Sequence, residues 1–219
     1  MNIIEINKLN FSFTPKKEVL RDIVLNIKRG ETLGISGESG CGKSTLAGCL
    51  AGLYDVSKDT IIYSDPITIQ KGIIRGVHLI FQDPYSSINP KLTVWEAVSE
   101  GLRIKKRQGY DDLEPLIGRS LDSVALDRSY TFKKVATLSG GERQKVAIAR
   151  ALILDPALII FDEATVNLDL ISQREILAII RKLREAGRTM IIISHDERLL
   201  SLLAHRTVVM RDGKICNFL

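Results

Sequence analysis

The sequence is poor in cysteine, and its three cysteines, Cys41, Cys49 and Cys216, are odd in number and nowhere spaced Cys-x-x-Cys. That excludes a fully paired disulfide framework and a zinc knuckle, and makes reduced thiols the expectation. Long apolar runs are missing too. No stretch approaches the roughly 18 to 20 residues that a membrane-spanning helix requires, and the opening MNIIEINKLN has no basic segment followed by an apolar one. A cytoplasmic chain is expected. Internal repeats and low-complexity linkers are also absent, so any inserted segment should fold against the rest of the chain.

What is present suits one large domain, or one domain with an insertion: 219 residues of which 45% are hydrophobic. The formal charge of +5 allows an anionic partner such as a nucleotide but speaks to association rather than fold. The densest basic run, RIKKR from Arg103 to Arg107, reads as a solvated helix end.

The chain opens with NIIEINKLNFSF and then VLRDIVLNIKRGE, both alternating apolar with polar residues as half-buried antiparallel strands do. TLGIS, HLIF, ALIIF and TMIIIS are instead short continuous apolar runs, the pattern of parallel strands covered on both faces. Helical periodicity fills the intervals in KSTLAGCLAGL, ERQKVAIARALIL and SQREILAIIRKLREAG, the last with Gly187 placed as a C-cap. This is an α/β pattern. Between FQDPYSSINP and KKVATLSGGE, about fifty residues carry helix-like segments, including TVWEAVSEGLRIKKR and DDLEPLIGRSLDSVAL, and read as a helical insert. Trp95, within that insert, looks like an exposed aromatic, with packing in the insert's own core as the alternative.

Chemistry concentrates first in GESGCGKST. Gly37, Gly42, Lys43 and Ser44 satisfy G-x-x-x-x-G-K-[ST] after a strand and before a helix. Glycines let successive backbone N–H groups curl around an anion, and the following helix turns its positive end toward it. Gly37, Ser39, Gly40, Cys41, Gly42, Lys43, Ser44 and Thr45 are therefore read as holding phosphate, with Ser44 also ligating Mg²⁺. A second signal is ALIIFDE, an apolar strand ending in Asp162 and Glu163, two carboxylates that a core does not accept without purpose. Asp162 is read as holding Mg²⁺ and Glu163 as the base for the attacking water.

Between these lies LSGGERQKVAIARAL. With it, the order GESGCGKST, IFQDP, LSGGE, LIIFDE, NLD and ISHD closely resembles the nucleotide-binding subunits of ATP-binding cassette (ABC) transporters across essentially the whole chain. The resemblance implies a RecA-like P-loop NTPase core with an N-terminal antiparallel β-subdomain (1–82 and 135–219) and an inserted α-helical subdomain (83–134). It implies that ATP and Mg²⁺ are bound, and that Ser139, Gly140 and Gly141 serve the ATP of a second subunit packed head to tail. Gln82 would contact Mg²⁺ and the water, Asp169 would touch the opposite subunit, and His195 would contact the γ-phosphate. Phe13 aligns with the aromatic that stacks on adenine, although Phe11 shares its face. VNLD stands where SALD is more usual.

The stretch HLIFQDPYSSINPKLTVWEAVSEGL is similar to the importer branch for dipeptides, oligopeptides or nickel. Against that, the chain stops six residues after Gly213, where that branch carries a longer, cysteine-containing tail. Nickel or another chelated metal stands level with peptides as cargo. The implied partners are polytopic membrane permease subunits, a second ATPase chain (a different sister chain or a second copy) and, indirectly, an extracytoplasmic substrate-binding protein. No nucleic acid is expected. The implied location is peripheral, on the cytoplasmic face of the inner membrane. Cassette ATPases acting on DNA or ribosomes usually carry a coiled-coil insert or two cassettes, and a simple P-loop kinase has no use for LSGGE or His195.

Overall fold

The computed structural model describes residues 1–15, 17–57, 59–83, 87–106 and 110–218. Pro84, Tyr85 and Ser86 of the branch-like stretch, and Arg107 of the basic run, lie outside them. By compactness the chain divides into two units, residues 1–79, 157–163 and 183–219, and residues 80–156 and 164–182.

In the first unit, the two alternating segments form β1 (Asn2–Thr14) and β2 (Lys17–Lys28), paired antiparallel, with β4 (Ile61–Tyr63) on the other side of β1. Their alternation sends Ile4, Ile6, Ile23, Leu25 and Ile27 into the core and leaves Lys17, Arg21 and Asn26 in solvent. Each fully buried Ile or Leu contributes about 1.5–3 kcal/mol. The continuous apolar runs build a second sheet: β3 (Thr32–Gly37), β7 (Val77–Ile80), β8 (Leu158–Asp162) and β9 (Met190–Ile193) are joined by β10 (Arg206–Arg211) and β11 (Lys214–Phe218), in the order β11-β10-β3-β9-β8-β7. β10, β3, β9 and β8 run parallel, and β11 returns antiparallel. The sequence reading did not anticipate β4, β10, β11 or the small hairpin of β5 (Thr68–Gln70) and β6 (Ile73–Arg75).

Helix α1 (Lys43–Leu50) follows β3 directly. Its Cys49 is buried, which pushes the thiol up to about 12, and all three cysteines are free, as their spacing suggested.

The second unit holds α2 (Val94–Lys106), α3 (Tyr110–Ser123) and α4 (Gly140–Leu152), which pack on one another, and most of α5 (Leu170–Glu185). α5 ends with Gly187 at φ +70, where Arg188 N–H bonds to Leu183 O at 3.0 Å and Gly187 N–H to Arg184 O at 2.9 Å, the Schellman closure expected of a C-cap glycine. Thr93 and Glu96 cap α2 reciprocally, the Thr93 N–H donating to Glu96 Oε2 at 2.6 Å and the Glu96 N–H to Thr93 Oγ1 at 3.1 Å. The compact unit is larger than the expected insert 83–134. It takes in residues 135–156 because α4 supplies Val146, Ile148 and Ala149 to the core shared with α2 and α3. At the end of α2, Arg103 and Ile104 are exposed, in keeping with a solvated helix end.

Trp95 decides between its two readings in favour of packing. It is only 4% exposed, because the first turn of α2 is pinned to the loop that follows α3 through Trp95 N–H to Thr131 O at 2.8 Å, and Val94, Val98 and Val135 are buried alongside it. It belongs to this unit's core. Trp95→Ala is therefore expected to destabilise the protein by about 3–5 kcal/mol, read as a fall in the midpoint of chemical denaturation. An unchanged midpoint would show that the indole carries no packing role.

Candidate functional site

The glycine loop is formed as its spacing requires. Gly37, Gly40 and Gly42 adopt φ of +145, +81 and +107. At Gly37 a Cβ would stand 2.3 Å from Met210 O, and at Gly42 3.0 Å from Leu20 Cδ2, whereas at Gly40 it would meet nothing within 4 Å. Gly37 and Gly42 are thus fixed by close approach as well as by backbone angle, and Gly40 by backbone angle alone. Gly42 also begins α1 with no side chain capping the helix, so no residue competes with a ligand for its first N–H groups. The buried Lys43 ammonium is held inside the loop by Gly37 O and Glu38 O, each at 2.8 Å. Cys41 Sγ lies 3.9 Å from that nitrogen and is half-buried.

Asp162 ends β8, 6% exposed, and its Oδ1 has no hydrogen-bond partner. Burial raises its carboxyl above the usual carboxylate range, against a lowering hydrogen bond from Ser44. A desolvated carboxylate with an orphaned oxygen, next to a serine in the first helical turn after a phosphate-type loop, is the donor set that a hard divalent cation takes; Asp162 and Ser44 fit Mg²⁺. Glu163 follows at φ +48, its N–H bonded to Ile193 O at 3.1 Å. That left-handed turn, unusual for a residue with a long side chain, brings Glu163 Oε2 to 3.5 Å from His195 Nδ1. His195 is 64% exposed and Glu163 19%, so the pair faces outward from the strand ends. The first unit thus brings together Lys43, Ser44, Asp162, Glu163 and His195.

At the N-terminus of the same unit, Phe11, Phe13 and Tyr54 form an aromatic trio, with Phe13 edge-on to Phe11 at 5.0 Å and to Tyr54 at 5.2 Å. Phe11 packs against the core, while Phe13 is 49% exposed, which makes Phe13 the member with ring surface to offer. Tyr54 carried no signal of its own in the sequence.

The second unit has its own cleft, about 200 Å³, lined by Gln82, Asp83, Gly140, Gly141 and Val166 to Asp169. Asp169 caps α5, its Oδ1 accepting from Ile171 N–H and Ser172 N–H, both at 3.0 Å, and its Oδ2 from the Ser172 hydroxyl at 2.6 Å; these bonds, that of the Ser172 side chain first, hold its carboxyl below the usual range. Gly141 is glycine by necessity, since a Cβ there would fall 2.2 Å from Ser172 Oγ. Asn167 takes φ +66, a conformation that asparagine tolerates better than most residues, in the segment where VNLD replaces SALD. Ser139 heads α4 in a capping box with Glu142. That box was legible in the sequence, since S-x-x-E before an apolar pattern is its signature. Among the described residues no three His, Cys, Asp or Glu side chains cluster to hold a metal, and no helix is long and apolar enough to cross a membrane.

A glycine loop on a strand-to-helix turn, with a buried carboxylate ending a parallel strand one place removed across β9, defines a P-loop nucleotide-binding site on an α/β core. The comparisons narrow this. The family model described as ABC transporter matches residues 20–166. The chain is 40% identical over 203 residues to the probable D,D-dipeptide transport ATP-binding protein DdpF of Escherichia coli strain K12, a match covering 92% of this chain and 64% of DdpF. It is 37% identical over 204 residues to the nickel import ATP-binding protein NikE of the same strain, covering 90% of this chain and 76% of NikE. The fold is similar to the dimeric structure of a post-hydrolysis state of the ATP-binding cassette MJ0796 bound to ADP and Pi, with a TM-score of 0.80, 25% identity, and 99% and 97% of the two chains covered. The chain belongs to the ABC transporter family and carries its ATP-binding domain. It spans under two thirds of the length of DdpF and about three quarters of that of NikE.

Within the loop, Gly37→Ala is expected to lower both the thermal midpoint and ATP affinity further than Gly40→Ala, whose cost should be about 1–2 kcal/mol of backbone strain alone. Thermal melts and equilibrium nucleotide titration of the two variants check this, and equal losses would show that the approach of Met210 O is not limiting.

Proposed function

We propose that this chain is the ATP-hydrolysing subunit of an importer, binding ATP with Mg²⁺ in its P-loop and turning it over at the interface of a head-to-tail dimer. The observation that carries the reading is the buried, half-unpartnered Asp162 on Ser44, with Glu163 beside it paired to His195. Lys43 now spends its charge on two loop carbonyls and would exchange them for phosphate oxygens. The N–H groups after Gly42 would complete the cradle. Ser44 and Asp162 would hold Mg²⁺, which supplies charge neutralisation across the phosphates. Glu163, 3.5 Å from His195, would orient the attacking water and take its proton, and His195 would contact the γ-phosphate. Phe13 would stack on the adenine, with Gly37 to Thr45 wrapping the phosphates.

Ser139, Gly140, Gly141 and Asp169 belong, in this reading, to the site of the opposite subunit. Support comes from Gly140, Gly141 and Asp169 lining one cleft of the second unit, with Ser139 next to Gly140 in the chain, and from the dimeric state of MJ0796. DdpF and NikE, named for dipeptide transport and nickel import, support uptake of di- or oligopeptides or of nickel or another chelated metal as the cargo. The partners would be polytopic membrane permease subunits, a sister ATPase chain or a second copy, and indirectly an extracytoplasmic binding protein. The chain would sit peripherally on the cytoplasmic face of the inner membrane.

Glu163→Gln is expected to bind ATP normally and hydrolyse it ~10² to 10⁴ times more slowly, because shape is kept and the base is lost. Lys43→Ala should instead weaken binding itself. Steady-state turnover and equilibrium titration of the two variants separate these effects, and a Glu163→Gln variant at the wild-type rate would sink the assignment.

The chain alone should be a poor ATPase whose turnover per mole rises with concentration, or on adding a sister chain. Each site lacks the donors of another subunit's Ser139 loop, and such preorganised donors are worth about 3–4 kcal/mol each. A full rate that persists on dilution to a demonstrated monomer is incompatible with the dimer mechanism.

A further inference from the structure

The helix that starts at the glycine loop ends in a turn that reaches the aromatic trio. After α1, Gly52 takes φ +73, its N–H bonds to Cys49 O at 3.2 Å, and the Leu53 N–H bonds to Gly48 O at 2.9 Å. This Schellman closure folds the chain back over the helix it has just left. Tyr54 follows at once, and its ring lies on Gly48, where a Cβ would stand 2.4 Å from Tyr54 Cε2 and 2.9 Å from Cδ2. Gly48 sits inside α1, where glycine weakens a helix, and its φ is not positive. What the position gains from glycine is room for the tyrosine ring.

The same ring meets both phenylalanines. It lies 5.2 Å from Phe11, tilted by 32°, and 5.2 Å from Phe13, with the two planes at 88°. Phe13 stands at 89° to Phe11 as well, so two nearly perpendicular neighbours fix its plane. Phe13 is the next-to-last residue of β1 and 49% exposed, so these two rings are a large part of what holds it. They differ in what stands behind them. Phe11 belongs to the strand of Phe13 itself, two residues earlier, and shares its movements. Tyr54 rests on α1 at Gly48, five residues after the Lys43 that opens the helix. Of the trio it is the member that ties Phe13 to the helix of the glycine loop.

We propose that Tyr54 is a positioning residue for the nucleotide: seated on Gly48, it holds the Phe13 ring at a set place relative to the glycine loop, so that the base and the phosphates of one ATP are met together. This rests on the reading of Phe13 as the adenine-stacking ring. A ligand gripped at both ends binds well only when the two receiving groups are already spaced for it, because ordering a loose side chain at the moment of binding costs affinity.

The test is equilibrium titration of the full chain with ATP and with inorganic tripolyphosphate, both with Mg²⁺, the second presenting phosphates without a base. Tyr54→Leu keeps an apolar side chain beside α1 and removes the ring. It is expected to weaken ATP binding roughly three- to tenfold, the worth of one aromatic pair, and to leave tripolyphosphate binding unchanged. At a protein concentration where turnover has reached its plateau, KM should rise in step while kcat stays the same. Tyr54→Phe, which keeps the ring, should bind ATP as the wild type does. Gly48→Ala retains Tyr54 but pushes its ring from the seat; it should reproduce the loss seen with Tyr54→Leu, and it carries the test should Tyr54→Leu fold poorly. Phe13→Ala is the reference. Wild-type ATP affinity in Phe13→Ala overturns the adenine reading and the positioning role with it. A loss in Phe13→Ala alone, with Tyr54→Leu and Gly48→Ala binding normally, overturns the positioning role and leaves the adenine reading standing. A loss that extends equally to tripolyphosphate would mean that Tyr54 only supports the helix, and one shared by Tyr54→Phe would mean that its hydroxyl touches the nucleotide directly; either result also overturns the proposal.

Discussion

The site depends on the register of three parallel strands. In the larger sheet Ile35 of β3 lies opposite Ile193 of β9, and Ile193 lies opposite Asp162 of β8. Parallel strands in register end at one edge, so the glycine loop after β3, the Ser194–His195 turn after β9 and the Asp162–Glu163 pair at the end of β8 all emerge there. Nothing in the loops themselves needs to be rigid for this; the ladder of main-chain hydrogen bonds sets their spacing. The Ser44 bond to Asp162 and the Glu163 pair with His195 are closures across strand ends that the sheet has already aligned.

The two glycine loops solve opposite problems at a helix start. At α1, Gly42 leaves the helix uncapped, and its first N–H groups wait for an external anion. At α4, Ser139 and Glu142 cap each other, so part of the donor set is consumed internally and only selected groups remain to face outward. The first loop can bind phosphate with its own backbone. The second has part of its donor set consumed by its own capping box, which under the proposed reading would suit a group that completes a site rather than one that founds it.

Much of this is legible in order along the chain because the chemistry is local. The loop from Gly37 to Thr45 needs its glycines at fixed offsets, and strands buried on both faces need continuous apolar runs, so both leave marks that survive without a structure. Trp95 stayed open in the sequence because periodicity says which residues share a helix face, not whether a small helical unit covers that face. β10 and β11 escaped notice because RTVVMR and KICNF are short and mixed in character. Tyr130 was invisible because its partner Glu142 lies twelve residues away across a turn, and Tyr54 because the ring it touches, Phe13, precedes it by forty-one. Contacts between distant residues leave no spacing to read. Gly141 shows the same limit, its need for a missing Cβ being set by Ser172 on another element.

The strand order also bears on how such a chain is made. β3 is synthesised early, yet its neighbours on both sides, β9 and β10, begin at Met190 and Arg206. A nascent chain therefore carries an apolar strand with two unpaired edges through most of its synthesis, and no local hairpin can satisfy either edge in the meantime. The arrangement that gathers the strand ends so economically in the finished protein exposes its central strand for longest on the ribosome, where pairing with another copy competes with pairing at home.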